Sequence, residues 1–293
     1  MPLNRHPVSE GRMSTQAVRA HPGFADFRQR HLTDMIVELE TCRAQTPLMI
    51  EAQHQVIGRL IVGLHCASRH DQPQTWATIA RLQTVVARCG LASARSVSEI
   101  VARLRTRGLV DTPRSPNDGR VRLLRPSIIL VDHDRRFLSA LLGGLTEVFT
   151  DGRYDAIAAG EPLAHARYRA AWAARAEETV EPFRWNAPMR LLYRRGAGMP
   201  LLFTILRDQY AQGRCELGFG ELGERLGVSR TQVRGILEAG RSEGLFEFSR
   251  IGGGPIATRR MCDAFDELLS ACAVAYTAIL EDAERTRGTM SSS

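Results

Sequence analysis

The chain contains one short pattern twice, and this repeat limits what it can fold into more than any other feature. In the first copy, Ser93 precedes a run of apolar residues at helical spacing, and Gly108 follows that run. Residues 229–244 have the same arrangement and align with the first copy without a gap. Serine before a helix and glycine after it are typical helix caps. Two diverged copies of one helical unit are therefore predicted.

Short flanking elements extend each copy in the same order. Apolar residues at helical spacing predict a shorter helix before each serine, with a glycine near its end. After the closing glycine of the first copy, strands are predicted at 109–112 and 121–124, joined by the turn-rich segment 114–120. A second hairpin is predicted at 246–258. Two helices followed by a hairpin predict a winged helix-turn-helix.

Amphipathic runs around the two copies predict further helices. We therefore expect a mainly α fold with small β-wings, in which two winged helix-turn-helix domains are joined and flanked by amphipathic helices. Recognition helices are expected at 93–107 and 229–243. The expected segments are a flexible N-terminal arm at 1–23, helices plus the first winged-helix domain at 24–127, a helical linker at 128–187, the second winged-helix domain at 188–258, a C-terminal packing or dimerisation helix at 259–285 and a tail at 286–293.

The chain is basic, and apart from histidine its only positively charged side chains are those of arginine. Lysine and arginine together number 39 against 32 acidic residues, and no lysine occurs. A Walker A phosphate loop, a Schiff-base amine and a lysine-activated nucleophile each need a lysine, so these chemistries are excluded. Residues 84–126 hold nine arginines and three acidic residues, a net of +6, and residues 225–260 hold seven and three, a net of +4. Such concentration of positive charge indicates a nucleic-acid partner.

The first copy supplies candidates for contacts with double-stranded DNA. An α-helix fits the major groove, and an arginine-bearing hairpin reaches the minor groove or the phosphates. In the recognition helix and its cap, the candidates are Ser93, Arg95, Ser96, Ser98, Glu99 and Arg103. In the hairpin they are Arg114, Asn117, Arg120 and Arg122, and Asp118 is expected to orient Arg120 through an ion pair.

The second copy supplies a matching set. Its recognition-helix candidates are Ser229, Arg230, Thr231, Gln232 and Arg234. Arginine reads guanine and glutamine reads adenine through paired hydrogen bonds in the major groove. Around the second hairpin the candidates are Arg250, Arg259 and Arg260.

Residues 93–126 resemble the MarR family of bacterial transcription regulators. The likeness lies in the recognition-helix pattern, the junction 107–110 with sequence Arg-Gly-Leu-Val, and the hairpin 114–120 with its Asp118-x-Arg120 core. The resemblance implies a homodimeric regulator whose wing arginine, here Arg120, enters the minor groove. The residues that carry it are about an eighth of the chain. The chain departs from the family in carrying a second unit, which lacks the Asp-x-Arg core.

Other motifs point to chemistry only weakly. The G-x-G-x-x-G match at 218–223 does not follow a buried strand, so it is interpreted as the entry to a helix rather than a dinucleotide site. His65, Cys66, His70 and Asp71 are metal-capable types, but their spacing favours the end of a helix over a metal site. The six cysteines include no Cys-x-x-Cys pair and are interpreted as reduced, mostly buried thiols, although Cys89 is close enough to the first recognition helix for a redox role to be considered.

The sequence therefore predicts a sequence-specific transcriptional regulator of bacterial type, not an enzyme, with no cofactor or metal. Its expected partners are double-stranded DNA and, through the N-terminal and C-terminal helices, a second copy of the chain. No long apolar segment and no apolar signal-peptide core are found, so a cytoplasmic, nucleoid-associated protein is expected. Two alternatives stay open: a tandem winged-helix replication initiator, and a winged-helix protein-interaction or chromosome-organising protein.

Overall fold

The computed structural model describes residues 13–115, 118–248 and 254–290, without the side chains of 286–290. This part of the chain is mainly helical, with two small two-stranded antiparallel sheets, as the sequence predicts. None of its helices combines the length and the apolar composition that crossing a bilayer requires.

The first half of the described chain contains six α-helices and one sheet. Two 3-10 turns, Pro47–Ile50 and Pro73–Thr75, interrupt the helices. The elements are α1 Thr15–Ala20, α2 Phe24–Gln45, α3 Ala52–Cys66, α4 Ile79–Arg88, α5 Ala94–Thr106, β1 Val110–Asp111, β2 Arg125–Pro126 and α6 Ile128–Leu142.

The second half contains eight α-helices and the other sheet. A 3-10 turn at Gly143–Glu147 follows α6 directly. The elements are α7 Asp155–Ala158, α8 Pro162–Ala174, α9 Ala176–Trp185, α10 Ala187–Tyr193, α11 Gly198–Gln212, α12 Phe219–Leu226, α13 Arg230–Ser242, β3 Phe246–Phe248, β4 Pro255–Ala257 and α14 Arg259–Met290.

The first unit, α4 through β2, has the predicted caps but a shifted second strand. Ser93 caps α5, and Gly108 follows this helix with φ of +66°. The second strand was expected at 121–124, yet the residues that pair with β1 are Arg125 and Pro126. The expectation is right in part: Val121 to Leu123 continue the hairpin opposite Pro113 to Ser115, whereas Leu124 donates its N–H to Ala77, in the segment before α4, at 2.7 Å. The hairpin thus joins a third extended segment that the sequence pattern did not indicate.

The second unit, α12 through β4, repeats this arrangement closely. Helices α5 and α13 have the same length and the same serine cap, and Gly244 has φ of +67°. In both units the residue after the closing glycine accepts a hydrogen bond from the residue after the second strand, Leu109 from Ser127 at 2.9 Å and Leu245 from Thr258 at 3.0 Å. A long helix begins at once, α6 in the first unit and α14 in the second.

One continuous hydrophobic core holds both units together. It runs from Val18 to Leu280 without a break between the expected domains. The segment 128–187 is helical as expected, but it is not a linker, because Phe137, Tyr168 and Trp172 from its helices are buried in this core. Helix α3 packs on the first unit and α11 packs on the second. Helix α2 packs on both α11 and α6, and α6 packs on α3, so the supports of the two units are connected.

The two ends of the described chain pack against each other. Helix α1 lies on α14 with Val18 fully buried, so the expected flexible arm at 1–23 is wrong for Thr15–Ala20; residues 1–12 lie outside the described part. An ion pair between Arg28 of α2 and Asp266 of α14, 2.8 Å long, adds to this contact. The apolar stripe of α14 is thereby buried within its own chain, which removes the sequence argument for dimerisation through it.

Candidate nucleic-acid interface

Helix α5 is held so that one face meets the core and the other faces outwards. The Ser93 hydroxyl accepts from the backbone N–H of Ser96 and satisfies one of the free amides of the first turn. The inward positions, all buried, are Val97, Ile100, Val101 and Leu104. The spacing of these apolar residues fixes the rotation of the helix, so its polar face is presented outwards.

The predicted contact residues of α5 differ in how available they are. Arg95 is the most open, with 89% of its side chain exposed, and its Nε donates to Glu99 at 2.9 Å. The Ser98 hydroxyl donates to the Ala94 carbonyl and accepts from Gln83 of α4, so it ties the two helices together. Ser96 is half-buried, whereas Arg103 is exposed. Arg95, Glu99 and Arg103 are therefore the side chains of this face that are free to reach a partner.

The first hairpin carries exposed positive charge on its described residues. Arg120 and Arg122 are exposed, and Arg114 lies opposite Arg122. The Asp118 carboxylate accepts from the backbone N–H of Arg120 at 2.9 Å. The expected ion pair between these two side chains is not found in the described residues, because an aspartate two residues earlier in a turn reaches the backbone amide instead. Asn117 lies outside the described residues.

Most of the positive charge of the first unit is exposed and is not neutralised by carboxylates. All nine arginines of residues 84–126 are exposed, and only Arg95 among these nine forms an ion pair with a carboxylate of the described residues. These nine are Arg88, Arg95, Arg103, Arg105, Arg107, Arg114, Arg120, Arg122 and Arg125. A dense set of exposed, uncompensated guanidinium groups produces a positive potential that attracts polyanions.

Helix α13 presents a similar but less charged face. Its cap and first turn, Ser229 to Gln232, are exposed, and the Ser229 hydroxyl accepts from the N–H of Gln232 at 3.1 Å. Arg234 is also exposed, and it donates to Glu238 one turn later at 2.8 Å. Arg230, Thr231 and Gln232 thus keep their side chains open to a partner.

The cations of the second unit are partly neutralised. Among the described arginines of residues 225–260, Arg225 pairs with Glu40, Arg234 with Glu238 and Arg259 with Asp263. Arg260 is exposed but donates to the Glu243 carbonyl at 2.5 Å. Arg250 lies outside the described residues. The two units therefore differ in free charge by more than their net charges indicate.

An arginine from the supporting helices clamps each unit at the same place. Arg184 of α9 donates to the carbonyl of Arg88, the last residue of α4, at 3.1 Å. Arg43 of α2 donates to the carbonyl of Arg225, near the end of α12, at 2.6 Å. A cation at a helix C-terminus binds the carbonyls that have no partner within the helix. The partners are 96 and 182 residues apart in the chain, so no local pattern could have revealed them.

The other residues singled out by the sequence have structural surroundings. Cys89 is buried, and this burial raises the pKa of its thiol, which favours the unreactive protonated form. Gly218 precedes α12 as its N-cap, as expected for the entry to a helix. Among the described residues, no cluster of histidine, cysteine and carboxylate side chains is arranged to hold a metal ion.

Comparison with known proteins adds no relative. No protein-family model matches the chain, and no curated protein or solved structure matches it.

Proposed function

We propose that this chain is a sequence-specific transcriptional regulator that binds double-stranded DNA through two winged helix-turn-helix units. The observation that carries the proposal is the first unit's set of nine exposed arginines, of which Arg95 alone is paired with a carboxylate in the described part of the chain. A surface of this kind, on a helix and an adjacent hairpin, matches the charge and the dimensions of a duplex.

The order of elements supports the winged-helix assignment. Each unit has a helix, a turn with a glycine of positive φ, a serine-capped second helix and a two-stranded hairpin. In this arrangement the second helix lies in the major groove and its N-terminal residues reach the base edges. Arg95 and Glu99 of α5, and Arg230, Thr231 and Gln232 of α13, take the base-reading positions. Arg103, Arg114, Arg120 and Arg122 contact phosphates or the minor groove.

The two units contribute unequally to this function. The first has the greater free charge and supplies most of the affinity, whereas half of the described arginines of the second are paired with acids. Gln232 and Thr231 give the second unit uncharged reading groups. It therefore adds selectivity at a second half-site more than it adds attraction.

Selection of bound duplexes from a random pool tests the proposal. The purified chain is used at near-physiological salt, where nonspecific binding to phosphates is weak. We expect recovery of a motif with two half-sites separated by about one helical turn, roughly 10 base pairs. The same selection with the variant Arg167→Ala, at an exposed position of α8 outside both units, is the control and recovers the same motif.

Other outcomes identify the alternatives. Recovery of several iterated sites, with melting of the adjacent duplex, contradicts a regulator and favours a replication initiator. No enrichment from a folded protein contradicts specific DNA binding and favours a protein-interaction role for the two units.

A further inference from the structure

A largely apolar cavity of about 220 Å³ lies among the helices that support the two units. Eight helices contribute to its wall: α2, α3, α6, α8, α9, α10, α11 and α14. Leu91, from the turn between α4 and α5, lines one side, and the exposed Gly196 lies at its edge. The cavity is thus larger than the roughly 150 Å³ space that holds a benzene molecule in an engineered protein core.

One charged group lines this cavity without a carboxylate partner. Arg59 of α3 stacks on the Phe137 ring, with its guanidinium carbon 3.3 Å from the ring centroid, and donates to the Gln55 side chain at 2.7 Å. Its Nε is buried and has no acceptor, and no carboxylate of the described residues forms an ion pair with it. Burial is the main cause that lowers the pKa of Arg59 to about 10, so the group stays charged at neutral pH.

The other arginine that lines the cavity, Arg169, does have a carboxylate partner. Arg169 binds Asp134 through two hydrogen bonds of 2.7 and 2.8 Å, and His165 binds the same carboxylate at 2.7 Å. The charge of Arg169 is therefore already balanced by a carboxylate of the same chain. A half-buried cation without a counter-ion is costly where the surrounding wall is apolar, so the position of Arg59 gains most from an anion brought in from outside.

A further polar group lines the same cavity. The Tyr168 hydroxyl is buried and has no hydrogen-bond partner among the described residues. The remaining wall is mainly aromatic and aliphatic, with Phe27, Phe203, Leu268 and Val180 among its residues. A carboxylate suits the planar guanidinium because both oxygens can accept from it, and an apolar body suits the rest of the wall.

We propose that the cavity binds a small hydrophobic monocarboxylate, with its carboxylate on the guanidinium of Arg59 and its apolar body against the aromatic wall. The size of the cavity limits this ligand to one or two rings or an equivalent chain. A ligand in the cavity does not overlap with bound DNA, since none of the proposed DNA-contact residues lines the cavity.

Isothermal titration of the full chain, without DNA, tests this site with 1-naphthoate and its uncharged analogue 1-naphthalenemethanol. We expect the acid to bind at least tenfold more tightly, because hydrogen bonds to a charged group are worth about a tenfold to hundredfold difference in affinity. In Arg59→Met the preference for the acid is lost while the alcohol still binds. The matched control Arg167→Met, at the exposed position of α8, keeps the preference.

A second variant separates loss of the site from loss of the fold. Val56→Phe fills part of the cavity and leaves Arg59 in place, so we expect weaker binding of both compounds with unchanged circular dichroism. The proposal is overturned if neither compound binds the wild-type chain at millimolar concentration. It is also overturned if Arg59→Met binds the acid as tightly as the wild-type chain does. Neither result bears on the selection of duplexes, so the two proposals fail separately.

Discussion

Arg95 and Arg230 are the first arginines of their recognition helices, yet they are not at equivalent positions. In the gapless alignment Arg230 corresponds to Ala94, and Arg95 corresponds to Thr231. Arg95 is also held by Glu99, while Arg230 has no carboxylate partner in the described part of the chain. Under the proposed function the two units place their cations differently against a base pair, so we expect half-sites of different sequence.

Replacing either arginine tests this arrangement. We expect Arg95→Ala and Arg230→Ala each to weaken binding to the selected duplex by about 1 to 3 kcal/mol, because an arginine that reads a base loses a paired hydrogen bond. Fluorescence anisotropy with labelled duplex measures the change, and Arg167→Ala serves as the control. Unchanged affinity in both variants would remove these residues from the base-reading set.

His31 makes the stability of the chain depend on pH. It lies between the rings of Phe27 and Phe203, and burial lowers its pKa from 6.5 to about 4. Protonation thus favours the unfolded chain, whose histidine titrates near 6.5. The contribution of neutral His31 is fully present above that pH and is lost as the pH falls toward 4.

The variant His31→Phe isolates this effect from that of His54 and His65, whose pKa values burial also lowers. A shift of this size corresponds to about 3 kcal/mol between pH 7 and pH 4. We expect the free energy of unfolding, measured with urea, to fall by about that much less in His31→Phe than in the wild-type chain over this range. Parallel curves for the two proteins would contradict the prediction.

At the scale of elements, recognition helix α13 contains two glycines in opposite surroundings. A Cβ at Gly240 would lie 2.5 Å from Cδ2 of the buried Phe246 ring, whereas one at Gly235 would meet nothing within 4 Å. Gly240 therefore allows the close approach of β3 to the helix. Gly235 carries only the entropic cost of glycine in a helix.

This difference predicts opposite effects of the same substitution. We expect Gly240→Ala to lower the free energy of unfolding by about 1 to 3 kcal/mol through overpacking, and Gly235→Ala to raise it by about 0.5 to 1 kcal/mol. Urea unfolding followed by circular dichroism measures both, and each variant is the control of the other. A stabilising Gly240→Ala would mean that Phe246 moves freely, against its close packing.

The sequence predicted well those elements whose conformation depends on residues nearby in the chain. The Ser93 and Ser229 caps and the Gly108 and Gly244 stops depend on neighbours within one turn, so the repeat revealed them. The ion cluster of Asp134, His165 and Arg169 depends on how α6 packs on α8, and the cavity depends on eight helices. Such contacts leave no periodic pattern in the sequence. For this reason the sequence predicted a helical linker at 128–187, where the helices in fact contribute to the core.

At the scale of the whole molecule, the shared core fixes the two units relative to each other. Arg184 and Arg43 clamp α4 and α12, and each clamping helix belongs to the common body. A single chain that contacts two half-sites therefore tolerates little change in their spacing. This distinguishes it from two units on a flexible linker.

Changing the spacing of the selected half-sites tests this rigidity. We expect insertion of about 5 base pairs, half a helical turn, to reduce affinity to that of a single half-site. Insertion of about 10 is expected to do the same, because it restores the face of the duplex but moves the second half-site by about 34 Å, beyond the reach of a rigid chain. Gel-shift titration gives affinity and stoichiometry together. Equal binding at every spacing, or two chains per duplex, would contradict a rigid single-chain reader.

Helices α6 and α14 each begin directly after a hairpin and extend to the cavity wall, where Phe137 and Tyr276 face the same space. Each helix therefore connects one wing directly to the wall of the cavity. A compound that alters the angle between the two helices changes the span of the wings, and reciprocity then requires the duplex to change the affinity for that compound by the same factor. Repression or induction by such a compound would differ only in the sign of that one coupling.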